Sequence, residues 1–99
     1  MGAFSPFYTK LMILYRVGGQ NMRQLEIRLR SVQDVLAFVT VATARPFPIQ
    51  VSNGNHQVNG KSFMEMFCLN LRKPVNVSFT CSDEEYDSFR RDTERFAVT

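Results

Sequence analysis

Alternating apolar and polar residues predict four β-strands in the chain after residue 21. Leu25, Ile27 and Leu29 alternate with charged residues, which is the period-two pattern of a strand with one buried face. A second and a third run flank the turn sequence at residues 52–55 and together predict a hairpin. Residues 75–81 carry an apolar side chain at every second position and predict the fourth strand.

Three serines precede apolar residues at helical spacing. Ser31 is predicted to cap a first helix that ends near Ala44. Its predicted buried face consists of Val32, Val35, Leu36, Val39 and Ala42. Ser62 and Ser82 are each followed three residues later by a glutamate, which predicts a capping box at the second and third helices. The predicted core residues of these two helices are Met66, Leu69, Tyr86, Phe89, Thr93 and Phe96.

The predicted element order is therefore β-α-β-β-α-β-α, the order of an α+β domain. Each strand has one polar face, so we expect a four-stranded, mainly antiparallel sheet with three helices on one face. The chain has 99 residues, of which 44% are hydrophobic and 21% charged. Such a length and composition are typical of one globular domain.

The first 21 residues differ from the rest. Their apolar run at residues 11–15 is bounded by Lys10 and Arg16 and is too short to span a bilayer. The glycine pair at residues 18–19 can be encoded by a purine-rich ribosome-binding sequence shortly before the codon of Met22. We therefore expect Met22 to be the natural start, residues 1–21 to be a disordered or artefactual leader, and residues 22–99 to form the domain.

Charge and cysteine content narrow the function classes. The net charge is +3, but the basic residues are dispersed and form no stripe interleaved with aromatic residues, so we expect no nucleic-acid partner. Cys68 and Cys81 lack the paired spacing of a metal or redox site, and we expect both to be small buried side chains in a reducing cytoplasm. No cofactor, metal ion or membrane is expected to bind.

The sequence contains no recognisable catalytic arrangement. No nucleophile is paired with a plausible base, and a capped helix start explains the acidic run at residues 83–85. We therefore expect the protein to act by binding and not as an enzyme.

The segment Asn-Gly-Lys-Ser-Phe-Met at residues 59–64, together with the element order, resembles HPr, the small phosphocarrier of the bacterial sugar phosphotransferase system. The resemblance covers nearly all of residues 22–98, and its most specific part is Lys61-Ser62-x-Met64. It implies the HPr-like open-faced sandwich, in which three helices cover one face of the sheet.

The resemblance fails at the residue that carries the phosphoryl group. The family has a Gly-His-x-Arg-Pro loop before the first helix, and here Ser31 replaces the histidine and Gln33 replaces the arginine. A serine does not form the labile phosphoramidate on which a carrier depends. We therefore expect a degenerate carrier site, and we expect the only histidine, His56, to be an ordinary surface residue beside the hairpin turn.

The resemblance also implies a regulatory phosphorylation site at Ser62, which corresponds to a serine modified by a dedicated kinase in the family. A phosphate at a helix start meets free amides and would present new charge to a partner. Two readings remain open, because Ser62 also suffices as an ordinary helix cap. Glu65 would repel a phosphate there, and Lys61 would partly offset that repulsion.

Lys61, Phe63, Met64 and Phe67 correspond to the surface that HPr uses to dock on its partners. We expect Met66 and Leu69 to be buried and the other apolar residues of this segment to be exposed. Burial of Phe63 and Phe67 in the core would exclude the docking interpretation.

The resemblance therefore implies a cytoplasmic, non-catalytic regulatory or adaptor protein related to the phosphotransferase system. Its implied partner is a transcriptional regulator or a component of that system. The alternative is a degenerate HPr-fold module for another protein interaction or for self-association, with no relation to sugar transport. Phosphorylation by an HPr kinase separates the two.

Overall fold

The computed structural model describes residues 20–98. The predicted leader at residues 1–21 therefore lies outside the described residues, except for its last two positions. Asn21 already belongs to the first strand and lies opposite Cys81. The proposed start at Met22 remains a prediction.

The described chain forms four strands and three helices, followed by a short 3-10 turn. The strands are β1 (Asn21–Ile27), β2 (Ile49–Asn53), β3 (His56–Asn59) and β4 (Val75–Cys81). The helices are α1 (Val32–Thr43), α2 (Phe63–Met66) and α3 (Asp83–Asp92), and the 3-10 turn spans Glu94–Phe96.

The strands form one sheet in the order β1-β4-β2-β3, and every neighbouring pair is antiparallel. Val77 lies opposite both Leu25 and Val51, so the apolar positions of adjacent strands fall on the same face. This face and the three helices contribute to one hydrophobic core. The predicted α+β fold, with three helices on one face of a four-stranded sheet, is confirmed.

The buried face of α1 differs from the prediction. Val35, Phe38 and Ala42 are buried, whereas Val32 and Leu36 are 55% and 46% exposed. The ring of Phe38 packs edge-to-face against those of Phe89 and Phe96, with centroids 6.3 Å apart in both pairs. These aromatic contacts fix the rotation of α1 about its axis. The prediction that Val32 and Leu36 face the core is wrong for this reason.

The two cysteines also differ from each other. Cys81 is buried in β4 as predicted, and burial raises the pKa of its thiol. Cys68 is exposed, so its predicted burial is wrong. The four-residue α2 and the turn after it bury Met66 and Leu69, which leaves Cys68 between them on the outer side.

Candidate docking surface

Backbone and side-chain hydrogen bonds fix Ser62 at the start of α2. Its Oγ accepts from the amide of Glu65 at 3.3 Å, and its own amide donates to the carbonyl of Asn59 at 3.0 Å. Ser62 is half-buried and extended, with φ −105° and ψ 111°. It is therefore a helix cap held by the strand that precedes it.

The predicted capping box is absent at α2 and present at α3. Oε1 of Glu65 accepts from the amide of Asn59 at 3.0 Å, because the amide of Ser62 already donates to Asn59. At α3, the amide of Ser82 donates to Oε1 of Glu85 at 3.0 Å, and the amide of Glu85 donates to Oγ of Ser82 at 3.2 Å. The prediction is wrong for α2 and confirmed for α3.

The apolar residues of α2 and of the turn after it divide between the core and the surface as predicted. Met66 and Leu69 are buried. Phe63, Met64 and Phe67 are 37%, 80% and 44% exposed. The rings of Phe63 and Phe67 pack edge-to-face with centroids 4.8 Å apart, so the two exposed aromatic side chains support each other.

Helix α1 extends this apolar area. Val32 and Phe67 line one groove of about 540 Å³ between the start of α1 and the segment after α2. Leu36 lies one turn beyond Val32 and is also exposed. We call the exposed residues Val32, Leu36, Phe63, Met64 and Phe67 the α1–α2 surface. Sequence analysis missed the part on α1, because an apolar residue at helical spacing ordinarily predicts burial.

Arginines surround the groove of the α1–α2 surface. Arg28, Arg30 and Arg72 are the charged residues among those that line it. The guanidinium of Arg28 donates to the carbonyl of Arg72 at 2.9 Å, which links the end of β1 to the loop before β4. The rim of the groove is therefore positively charged.

Lys61 lies beside a different groove. Its Nζ donates to the carbonyl of Arg45 at 2.6 Å, after the end of α1. Together with Glu65 and Pro46, it lines a second groove of about 560 Å³. The structure thus places Lys61 next to Ser62 in the chain but directs its ammonium group away from the groove of Phe67.

The residues predicted to form a degenerate carrier site, Ser31 and Gln33, lie at the start of α1. Oγ of Ser31 accepts from the amide of Asp34 at 3.1 Å, and Oδ2 of Asp34 accepts from the amide of Arg30 at 2.9 Å. Gln33, in the same turn, is exposed. A carboxylate already lies at this helix start, where the helix dipole favours negative charge. A phosphoryl group on Ser31 would meet the charge of Asp34.

His56 is exposed at the start of β3, opposite Asn53, as predicted. Within residues 20–98, no three or more histidine, cysteine, aspartate or glutamate side chains are grouped so that they could hold a metal ion. Over the same residues, no helix has the length and apolar character needed to cross a membrane.

Comparison with known proteins supports the fold. No protein-family model matches the sequence, and no curated protein matches it significantly. The crystal structure of HPr-C-His from Thermoanaerobacter tengcongensis matches with a TM-score of 0.59 and 23% identity, over 75% of this chain and 91% of that chain. The phosphocarrier protein HPr from Bacillus anthracis str. Ames matches with a TM-score of 0.53 and 17% identity, over 77% and 99%. The chain therefore has an HPr-like fold.

Proposed function

We propose that this protein is a cytoplasmic, HPr-like regulatory or adaptor protein related to the phosphotransferase system, and that it acts by binding another protein. The observation that carries the proposal is the α1–α2 surface, on which large apolar side chains of two neighbouring helices are exposed. A contiguous exposed apolar area is typical of protein-binding sites.

The surface has the properties of an interface centre. Aromatic and methionine side chains are enriched at such centres, and Phe63 already packs against Phe67 in the free protein. Because these rings are partly ordered before binding, the entropy lost on association is smaller. The arginine rim favours a partner whose acidic groups surround an apolar contact.

The start of α1 supports binding rather than phosphoryl transfer. Ser31 stands where a carrier would need a histidine, and a phosphoserine ester does not readily pass its phosphoryl group on. The carboxylate of Asp34 occupies the same helix turn. The partner class that best fits a non-carrying HPr fold is a transcriptional regulator or a component of the phosphotransferase system.

We further propose that phosphorylation of Ser62 regulates this binding. In that reaction a kinase transfers the γ-phosphoryl group of ATP to Oγ of Ser62, and ADP and the hydroxyl proton leave. The new dianionic group would lie beside Phe63 and close to the Glu65 carboxylate. It would therefore change the charge at the border of the apolar surface.

The phosphorylation proposal is tested with a bacterial HPr kinase and ATP, followed by mass spectrometry of the intact protein and its peptides. We expect stoichiometric modification that is lost in Ser62→Ala and retained in Ser31→Ala, a matched change at another capping serine. Absence of modification in the unaltered protein would exclude this switch and would leave the docking proposal to its own test.

The docking proposal is tested by titration with a phosphotransferase-system enzyme and with an HPr-dependent transcriptional regulator. We expect Phe67→Ala and Met64→Ala to weaken binding by at least about tenfold, the effect of losing a contact worth 1.4 kcal/mol. Met22→Ala is the matched control, because Met22 is 76% exposed but lies on β1 opposite Thr80. Binding that is equal in all variants would contradict the docking proposal.

Self-association is the alternative function, and the charge of the rim opposes it. In a symmetric dimer the same surface of each copy meets its mate. Two sets of the rim residues Arg28, Arg30 and Arg72 would then share one interface, and their like charges would repel. A dimer in sedimentation experiments that Phe67→Ala dissociates would favour self-association over an adaptor role.

A further inference from the structure

The groove between the start of α1 and the segment after α2 combines an apolar lining with charge of one sign. Its lining includes the buried residues Leu29, Val35 and Leu69 and the partly exposed residues Val32 and Phe67. The charged residues of its lining are the three rim arginines, and no acidic residue of the described part of the chain lines it. A molecule in this groove therefore meets apolar side chains and positive charge together.

The other large groove lacks this combination. Lys61 and Glu65, which have opposite charges, both line it, together with the polar residues Gln50, Gln57 and Asn59. Sites for small ligands are mostly apolar, measure roughly 300–1,000 Å³ and contain a few polar groups that orient the ligand. The groove of about 540 Å³ beside Phe67 has these properties.

Guanidinium groups, and not the start of α1, supply the charge of this groove. At the helix start, Oδ2 of Asp34 accepts from the amide of Arg30 at 2.9 Å, and Oγ of Ser31 accepts from the amide of Asp34 at 3.1 Å. The guanidinium of Arg28 donates to the carbonyl of Arg72 at 2.9 Å, which holds Arg28 at the loop that carries Arg72. Arg30 and Arg72 are exposed. A guanidinium group presents a fork of N–H donors that matches the oxygens of a carboxylate or phosphate.

We propose that this groove binds a small organic anion, in which a phosphate or carboxylate head is attached to an apolar body. The head accepts hydrogen bonds from the guanidinium groups of Arg30 and Arg72. The body lies against Val32 and Phe67, where it removes apolar surface from water. Each half of the ligand thus has its own partner in the groove.

Such a ligand regulates the α1–α2 surface. Val32 and Phe67 belong both to the groove and to that surface, so the anion and a protein partner compete for them. This competition rests on the proposed docking function, whereas the binding of the anion does not.

The experiment is an NMR titration of the full-length protein with naphthyl phosphate, naphthoate and uncharged naphthol. We expect both anions to shift the backbone amide signals of Val32, Asn70 and Leu71, which line the groove. Both should bind at least about tenfold more tightly than naphthol, because naphthol offers the guanidinium groups no charge. Inorganic phosphate should bind at least about tenfold more weakly than naphthyl phosphate, because it lacks the apolar body.

Three variants locate the site. Arg30→Gln and Arg72→Gln should each weaken the binding of naphthyl phosphate by at least about threefold and leave the binding of naphthol unchanged. Both side chains are exposed, so the substitutions leave the core intact. Arg91→Gln is the matched control, because Arg91 is exposed on α3, outside the groove lining, and its loss changes the net charge equally. It should leave the affinity for naphthyl phosphate unchanged.

Three results would overturn the proposal. Equal affinities for naphthol and naphthyl phosphate would show an apolar contact without an anion site. Equal weakening by Arg91→Gln and by Arg30→Gln would show attraction to the net charge of the protein. Shifts that spare the groove, or no shifts at all, would place the anion elsewhere or exclude it.

The competition is measured separately, by repeating the partner titration with naphthyl phosphate at saturation. We expect the anion to weaken partner binding by at least about tenfold. An unchanged affinity for the partner would overturn the competition. A partner that fails to bind even without the anion would instead exclude the docking function, and the titration with naphthyl phosphate alone would still decide whether the groove binds an anion.

Discussion

Helices α2 and α3 begin with the same motif, a serine followed three residues later by a glutamate, yet they use it differently. At α3, Ser82 and Glu85 satisfy each other. At α2, the glutamate turns back to Asn59, because the chain enters from a strand edge whose amide has no partner across the sheet. In both motifs the glutamate carboxylate therefore accepts a hydrogen bond from a backbone amide that has no other partner in the preceding chain.

The two helices also differ in what they do with their aromatic residues. Phe89 on α3 is fully buried and packs against the rings of Phe38, Phe47 and Phe79. Phe67 follows α2 and packs against Phe63 at the surface. Helix α3 thus completes the core, whereas the aromatic side chains at α2 are exposed at the surface.

The largest expected effect separates these two aromatic residues. Phe89→Ala should lower the free energy of unfolding by about 3–5 kcal/mol, because it leaves a cavity among three other rings. Phe67→Ala should lower it by less than about 1 kcal/mol, because its side chain is already partly in solvent. Urea denaturation of both variants measures the difference, and comparable losses would place Phe67 in the core.

The next largest loss of stability is expected at Gly60, in the connection between β3 and α2. A Cβ added at Gly60 would lie 2.8 Å from Cγ2 of Ile49 and 3.1 Å from Cγ2 of Val51. Gly60→Ala should therefore lower the free energy of unfolding by about 1–3 kcal/mol through overpacking.

Gly54 offers the matched control for Gly60→Ala in the same denaturation series. It has φ +63° in the β2–β3 turn, and no atom lies within 4 Å of the added Cβ. Gly54→Ala should cost about 1 kcal/mol from backbone strain alone. If Gly60→Ala proved harmless, the connection between β3 and α2 would pack less tightly against β2 than the structure indicates.

A smaller difference is expected between the two capping serines. Oγ of Ser82 accepts from the amide of Glu85 and donates to its carboxylate, whereas Oγ of Ser62 accepts one bond only. Ser82→Ala should lower the free energy of unfolding by about 1–2 kcal/mol and Ser62→Ala by about 0.5–1 kcal/mol. The same denaturation measurements test this order, and the reverse order would mean that Ser62 carries a contact beyond its cap.

Most of the fold could be predicted from the sequence, because residues close together in the chain determine the strands and the turns. Alternation in β4 and the turn at residues 52–55 determine which faces are apolar and where the chain reverses. The rotation of α1 depends instead on Phe38 meeting Phe89 and Phe96, which lie more than fifty residues away in the chain. Spacing within the helix cannot reveal such a contact, so the exposure of Val32 and Leu36 was missed.

The candidate docking surface, too, could be predicted from the sequence only in part. The exposure of Phe63, Met64 and Phe67 followed from their place in a short helix and from the resemblance to HPr. The arginine rim did not, because Arg28 and Arg72 are 44 residues apart and meet only when the end of β1 reaches the loop before β4. Dispersed basic residues in a sequence can therefore converge at one groove.

The smallest effect on stability tests the difference between α2 and α3 most directly. Glu65→Ala removes the acceptor of the Asn59 amide, which then bonds to water because Asn59 is exposed. We expect a loss of only about 0.5 kcal/mol in the free energy of unfolding. Amide exchange at Asn59 should nevertheless become faster, while exchange at Ser62 should stay slow because its amide donates to the Asn59 carbonyl.

Two further variants complete this last test. Glu65→Gln keeps an oxygen acceptor and should keep Asn59 protected, since an amide oxygen can replace the carboxylate in this bond. Glu85→Ala should leave Asn59 unchanged and expose the amide of Ser82 to exchange. If Glu65→Ala sped exchange at Ser62 rather than at Asn59, α2 would have an ordinary capping box. The two helices would then begin in the same way. The Asn59 amide at the edge of β3 would need an acceptor other than Glu65.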